Sequence, residues 1–494
     1  MKTVKKNRGK IAMNDIFDNE FDAVPQNEEL EKALEAGYGT DAATFKDGRA
    51  LQREDLEATL VTVLDVKQND LKVFHKLHKQ PVSATVHQVN RQTSVGNDEF
   101  LFVSEGELAS SDDAEFERKI YETKYLSSEW KVSHPLTLTN NAENPINAQK
   151  IAAVMRVSRA TERAIFHGDS SINKKQYDGF LKIIRDSVAD TEHDEKHRAT
   201  RVDLRGLEIG EKSTELKINA DINLFNQISA DVYSKGGDIS EAYFPPVVAE
   251  QFWRVMQDRL RFNVGDKQMG FSELPDIPTA VGSTIRIKGE CGADKMFKVK
   301  GIVEACGDSA RRPNTPSSIT AAATEDSASQ FTSGFAGDYT YAVHAVNAYG
   351  ISAGKVISAA QAVTAGQKVT LTITPDSNGP AATGFIITRS NANGTVLMEM
   401  VRIKNKNGTS ATTYVDLNND LPGTASVVLL TPTTVDSIQP NVSFGQLMPI
   451  SNFDLPTDSS IAHRGVVSMY GMLEVRVPEY CALIDNVGYA GGLY

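Results

Sequence analysis

Residues 317–428 differ from everything around them, and that difference limits what the chain can be. The block is rich in Ala, Thr, Ser and Gly, poor in charge, and carries no Cys or Trp. Its apolar residues alternate: Tyr339, Tyr341, Val343, Ala345, then Val369, Leu371, Ile373, then Phe385 to Ile387. A period of two puts every second side chain on one face, which is a strand signal. Asn393-Gly394 and Asn407-Gly408 are residue pairs that suit hairpin turns. Arg311-Arg312-Pro313-Asn314-Thr315-Pro316-Ser317-Ser318 reads as a linker into the block. Beyond it, 429–494 returns to mixed strand, with Val466, Ser468, Tyr470 and Met472 on alternate positions, then Val475 and Val477. The expectation is an all-β sandwich of about 110 residues, inserted at 313–428 into a chain that later resumes its own fold.

The flanking chain mixes both periods. Residues 144–168 give the clearest helix. Asn144 can cap it, Pro145 suits the first turn, and Ile151, Val154, Met155, Ala164 and Ile165 form an apolar stripe. Gly168 is a natural stop. Two more helices are expected, one over 221–235 and one opening at Pro245-Pro246 with Val248, Phe252, Val255, Met256 and Leu260. Strands are expected at 81–90, 283–289 and 296–303. The stretch 99–140 reads as a polar two-stranded excursion. Its strands would be Glu99–Val103, Ile120–Leu126 and Trp130–Val132, around an acidic turn at 105–113. Such a hairpin has little to bury and is marginal alone, so packing on something else must stabilise it. The class is therefore α+β.

Charge and composition exclude several functions. The 494 residues carry a net charge of −12, so the global field repels polyphosphate and the chain is not a general nucleic-acid binder. No apolar run approaches the ~20 residues of a membrane helix. Residues 1–10 are basic, but no apolar signal core follows, which points to a protein made and kept in a cytoplasm. Residues 14–35 are strongly acidic, and the segment 1–36 reads as a solvated tail, or as a pro-segment that orders only on a partner, with a short helix at Glu28–Ala36. Cys291, Cys306 and Cys481 offer neither a disulfide framework nor a zinc knuckle.

No constellation asks to be an active site. His193 and His197 stand four apart and could share a metal on a helix, but Asp194 stands where a zinc-protease helix needs Glu. The highly charged stretch 186–205 reads as a solvated loop. Asp112, Asp113 and Glu115 read as a solvated acidic turn. No phosphate-binding loop, nucleophile elbow or dinucleotide fingerprint is present. No catalytic, cofactor or metal residue is assigned, and no cofactor is expected.

Several segments in order carry a resemblance. They are Gly37–Thr40 followed by Arg49–Leu56, then Lys79–Val86, Phe166–Ser170 with Tyr177–Phe180, Asp238–Pro245, and Thr413–Asn418. In this order the chain resembles the major capsid proteins of large contractile-tailed bacteriophages, closest to the Twort-like group, from about Gly37 to the C-terminus. The resemblance implies the Hong Kong 97-type phage capsid fold, with residues 37–95 as N-terminal arm and 96–140 as the E-loop. It places the peripheral domain with its spine helix at 141–204 and the axial domain at 205–312 and 429–465. Peripheral strands at 466–494 complete it. The insert resembles immunoglobulin-like or fibronectin type III modules, through Gly337–Gly350 as a late strand and Thr413–Asp416 as an earlier one, in permuted order. Some relatives crosslink an E-loop lysine to an asparagine of the next subunit; Lys119, Lys124 and Lys131 are candidates by position only, and no bond is assigned.

The resemblance also implies a partner set: identical subunits in hexamers and pentamers, portal and scaffold proteins during assembly, decoration proteins, and packaged double-stranded DNA in weak non-specific proximity. It implies no membrane, and a place in the virion after assembly in the bacterial host cytoplasm. Two other readings compete with a shell protein. An adhesin would bind through the β-sandwich, and a metal-dependent hydrolase would use His193 and His197.

Overall fold

The computed structural model describes residues 71–96, 101–106, 108, 113–139, 144–193, 195–214, 218–257, 276–287, 290–431, 440–456 and 461–494. The acidic tail, the arm before residue 71, and Asp112 and Asp194 lie outside the described residues. The chain divides into two units, and all described residues except Asn144 fall in one of them, Leu64–Thr139 with Pro145–Tyr494.

A five-stranded sheet stands between two cores. Its order is Gly292–Ala293, Glu241–Phe244, Ala425–Leu430, Ala482–Val487, Thr200–Asp203. The two middle strands are buried at every residue, as expected where both faces are covered. Alternation then sorts the side chains. Tyr243, Val428, Leu430 and Leu483 enter one core, with the long helix. Ala242, Phe244, Val427, Leu429, Ala482 and Ile484 enter the other. Each fully buried Val, Leu, Ile or Phe contributes about 1.5–3 kcal/mol, so this sheet welds the two layers.

The first core lies under the long helix Pro145–His167, which matches the expected span. Ala153, Val157, Ala164, Ile165 and Phe166 are buried against a second sheet, ordered His78–Pro81, Val442–Leu455, Ala462–Val475, Lys124–Ser133. The helix ends where two glycines meet. Gly179 donates to the Gly168 carbonyl at 2.9 Å, and a Cβ on Gly179 would stand 2.6 Å from the Ala164 carbonyl oxygen. A side chain there would force the turn apart, so the Phe166–Gly168 and Tyr177–Phe180 segments are one packed unit. The chain before it is stitched in by Glu162, whose carboxyl accepts from the Val73 and Phe74 amides at 2.8 Å each, at the head of the short helix Lys72–Lys76. Burial and the neighbouring Asp294 hold Glu162 well above the usual carboxylate range, against those two amides.

The second core packs helices Asn223–Ser234 and Pro246–Gln257 on the other face of the central sheet, through Leu224, Phe225, Ile228, Val232, Val248 and Phe252. Both helices were expected.

Residues 318–416 close around a third core of their own. A three-stranded sheet (Ser318–Glu325, Gln367–Thr374, Thr412–Asp416) faces a sheet built on Tyr341–Asn347, Gly384–Arg389 and Met398–Lys404. Ile319, Tyr341, Val343, Val369, Leu371, Ile373, Phe385 and Ile387 fill the space between. Inside it the fully buried Arg389 guanidinium bonds Asp416 at 2.6 Å and Asn418 at 2.7 Å, and lies over the Tyr339 ring at 5.0 Å. The block is anchored to the rest of the chain by Arg205, which donates to the Asn418 and Gln330 carbonyls at 2.6 Å each.

Several expectations need correction. Residues 101–103 form no strand, and Thr123 divides 120–126 between two different sheets. Residues 82–85 are a bend, and the strand runs Val86–Ser94. Residues 296–303 form no strand, and among the described residues of 283–289 the strand is Thr284–Ile285, with a single bridge at Arg286. The stretch 186–205 is not all loop: helix Phe180–Ala189 and strand Thr200–Asp203 occupy both its ends, because Ile184 and Leu204 are fully buried. Residues 425–428, placed in the insert, form the middle of the central sheet, while Cys306–Gly307, placed outside it, extends a sheet of the β block. Low charge marks both an inserted sandwich and a doubly buried strand, so composition cannot separate them. Within 429–465, strand Val442–Leu455 lies on the long-helix sheet, not with the second core; within 466–494, strand Ala482–Val487 returns to the central sheet. Asn407-Gly408 joins two different sheets and makes no hairpin.

Asp485, inside the central strand Ala482–Val487 and paired with Asp203 of the edge strand, is fully buried. It accepts two bonds from Arg185 Nη2 at 2.9 Å and one from the Ser426 hydroxyl at 2.6 Å, and Arg201 stands 3.1 Å away. Burial opposes its ionisation, but Arg185, Lys300 and Arg201 outweigh burial and hold the carboxyl well below the usual range. A carboxyl depressed in the fold contributes stability that is full above its unfolded value and is lost as pH falls. Asp485→Asn should cost about 3–5 kcal/mol at neutral pH and flatten the acid limb of the stability curve. Urea unfolding at stepped pH measures both.

Candidate assembly surface

The excursion expected at 99–140 exists, but it is built from an earlier strand. Val86–Ser94 pairs antiparallel with Glu115–Glu122, and of the connection between them residues 95–96, 101–106, 108 and 113–114 are described. Lys124–Ser133 leaves the hairpin and pairs with Ala462–Val475. The register Gln88↔Ile120 and Arg91↔Glu117 explains why. Alternate residues His87, Val89, Arg91, Glu117, Lys119 and Tyr121 are half-buried, while Val86, Phe116 and Ile120 point away.

The inward face holds the hairpin by polar contacts. The Tyr121 hydroxyl donates to the Val475 carbonyl at 2.6 Å. Arg91 bridges Glu117 at 2.6 Å and Glu479 at 3.2 Å. Burial and the Arg91 charge lower the Lys119 ammonium. The outward face is mixed, with Val86, Phe116 and Ile120 standing among Gln88, Asn90, Gln92, Arg118 and Glu122. Phe116 is 72% exposed and Ile120 61%; in the connection Phe102 is 99% and Leu108 94%. Large apolar side chains clustered on a projecting, sparsely packed element mark a contact surface. A hairpin of this sort gains its order from what covers it.

The sequence-derived candidates lie as follows. Lys119 faces inward on the hairpin, Lys124 pairs with Glu122 at 2.8 Å, and Lys131 is exposed on Lys124–Ser133. His193 and His197 do not share an α-helix face. His193 sits in a bend, with Nδ1 2.8 Å from Asp190, and His197 ends the short turn Glu195–His197. Among the described residues, no group of three or more His, Cys, Asp or Glu is arranged to hold a metal. Sequence reasoning missed Val86–Ser94 as the hairpin's first strand. Residues 90–94 are all polar (Asn90-Arg91-Gln92-Thr93-Ser94), so no apolar alternation carries the strand past 90 and only Gly96 marks its end.

No family model matches the chain. Curated relatives match along nearly all of it. The chain is 25% identical over 482 residues to the protein described as a major capsid protein of Enterococcus phage phiEF24C, covering 94% of this chain and 95% of that one. It is 24% identical over 486 residues to the major capsid proteins of Staphylococcus phages S25-3 and K, with the same coverage. Among solved structures, the capsid of a native GTA particle aligns at 10% identity and a TM-score of 0.44, over 91% of this chain and all of that one. The structure titled Mycobacterium phage Adephagia aligns at 6% identity and 0.42, over 90% and 98%.

Phe116→Ser with Ile120→Ser should leave subunit stability within about 0.5 kcal/mol, because both side chains are exposed. The same variant should sharply reduce the yield of high-mass oligomers. Thermal melting and size-exclusion chromatography of paired samples check the two halves.

Proposed function

We infer that this chain is the major capsid protein of a tailed bacteriophage and is structural rather than an enzyme. The observation that carries the reading is end-to-end similarity to phage major capsid proteins over 94% of the chain. The fold supplies the mechanical parts. A long helix on a four-stranded sheet, an α/β layer around the central sheet, and a projecting hairpin are the components of a Hong Kong 97-type subunit.

Such a protein works through geometry. Hexamers and pentamers of identical subunits close an icosahedral head around double-stranded DNA. Burial at each contact is modest, but many simultaneous contacts sum to a stable lattice. The hairpin, held to its own chain by polar contacts and showing Phe116 and Ile120 to solvent, lies over an adjacent copy. The long helix, about 35 Å at 1.5 Å per residue, is the stiff bar between contacts. The net charge of −12 keeps the inner surface from adhering to packaged DNA, which stays in weak non-specific proximity. Portal and scaffold proteins take part in assembly, in the host cytoplasm, and decoration proteins bind the finished head.

The β block 318–416 is the expected immunoglobulin-like insert, standing outside as a turret or a brace. Its spatial pairing supports this: 318–325, 367–374 and 412–416 form one sheet, and 341–347, 384–389 and 398–404 the other.

Co-expression with the phage scaffold and protease, followed by negative-stain microscopy, tests the reading. Closed shells are expected; soluble monomer alone would contradict it. Replacing 318–416 with a short linker should leave a soluble core with native far-UV circular dichroism, since the block has its own core. An insoluble remnant would count against an independent insert.

A further inference from the structure

Two histidines meet on the surface at the far end of the long-helix sheet. His134 follows strand Lys124–Ser133, and His463 opens strand Ala462–Val475. The strands are in register there, with Ala462↔Ser133 and His463↔Val132, and the His134 amide donates to the Ile461 carbonyl at 3.1 Å. The backbone therefore fixes where both rings start. His134 Nδ1 and His463 Nε2 stand 3.4 Å apart, with ring centroids 5.5 Å apart and planes inclined by 54°. Both rings are exposed.

That separation is beyond the ~2.7–3.2 Å usual for an N–H donor to oxygen. It is the edge of a metal tetrahedron. Two imidazole nitrogens each about 2.0–2.1 Å from a tetrahedral ion stand about 3.3–3.4 Å apart. Imidazole is a preferred ligand for zinc and its neighbours. We propose that His134 and His463 form a two-histidine site for a divalent transition-metal ion, with the remaining coordination positions open to water or to ligands outside the chain. The site is separate from His193 and His197. The register of the sheet pre-sets it at little ordering cost.

The test uses the purified full chain without a polyhistidine tag, unassembled, titrated with zinc chloride by calorimetry. Cobalt chloride serves as a parallel absorption probe. One ion per chain is expected. His134→Ala and His463→Ala should each weaken binding by at least the 10–100-fold that outer-shell losses alone cause, and His193→Ala should leave it unchanged. His463→Gln, which keeps a hydrogen-bonding group, should lose the ion as fully as His463→Ala. All three positions are exposed or half-buried, so circular dichroism should be unaltered. Binding that is absent, or equal in the wild type and both single variants, or lost with His193→Ala, would overturn the proposal.

Discussion

The central sheet has no solvent face, and the rest of the structure follows from that. Ala425–Leu430 and Ala482–Val487 are buried along their whole lengths, and alternate residues feed two different cores. Neither layer can move without exposing the other's wall. The long helix and the helices Asn223–Ser234 and Pro246–Gln257 are thus held in one rigid relation, and Asp485 adds a buried carboxylate paired with two arginines. A subunit that must repeat the same geometry many times needs a body of this stiffness.

Against that body the remaining parts are deliberately incomplete. The hairpin is tied down by Tyr121 and Arg91, with no apolar core of its own, and it shows Phe116, Ile120, Phe102 and Leu108 to solvent. Its stability is low by construction, because few buried contacts hold it. The β block is the reverse case. It has an apolar core of its own, with the Arg389–Asp416 pair buried beside it, and it joins the body through Arg205, the Phe335–Tyr494 ring contact, and the bonds from the Glu399 amide to Gly301 and from Asn391 to Leu493. One projection needs a neighbour to be finished, whereas the other arrives finished.

Much of this was legible in the residues, and the failures have physical causes. Pro145 and Gly168 bracket the long helix because a chain start and a close backbone approach each demand a particular residue. Val369, Leu371 and Ile373 reveal a one-sided strand because one face of the sandwich is wet. Ala425–Leu430 hides in the insert because a strand buried on both faces has no alternation to read. The helix Phe180–Ala189 is short and its charges, Lys182, Arg185 and Asp186, mask the buried Phe180 and Ile184. Which sheet Val442–Leu455 joins is a matter of long-range pairing, and periodicity says nothing about it. The site was less legible than the fold. An assembly surface has no catalytic spacing, and its signature is exposure, which only the folded chain displays.

Amide hydrogen exchange over residues 101–122, compared between free subunits and assembled shells, reaches the central claim most directly. Fast exchange in the free subunit and strong protection in the shell are predicted. Equal protection in both states would mean that the hairpin is completed by its own chain, and the account of a subunit finished by its neighbours would fail.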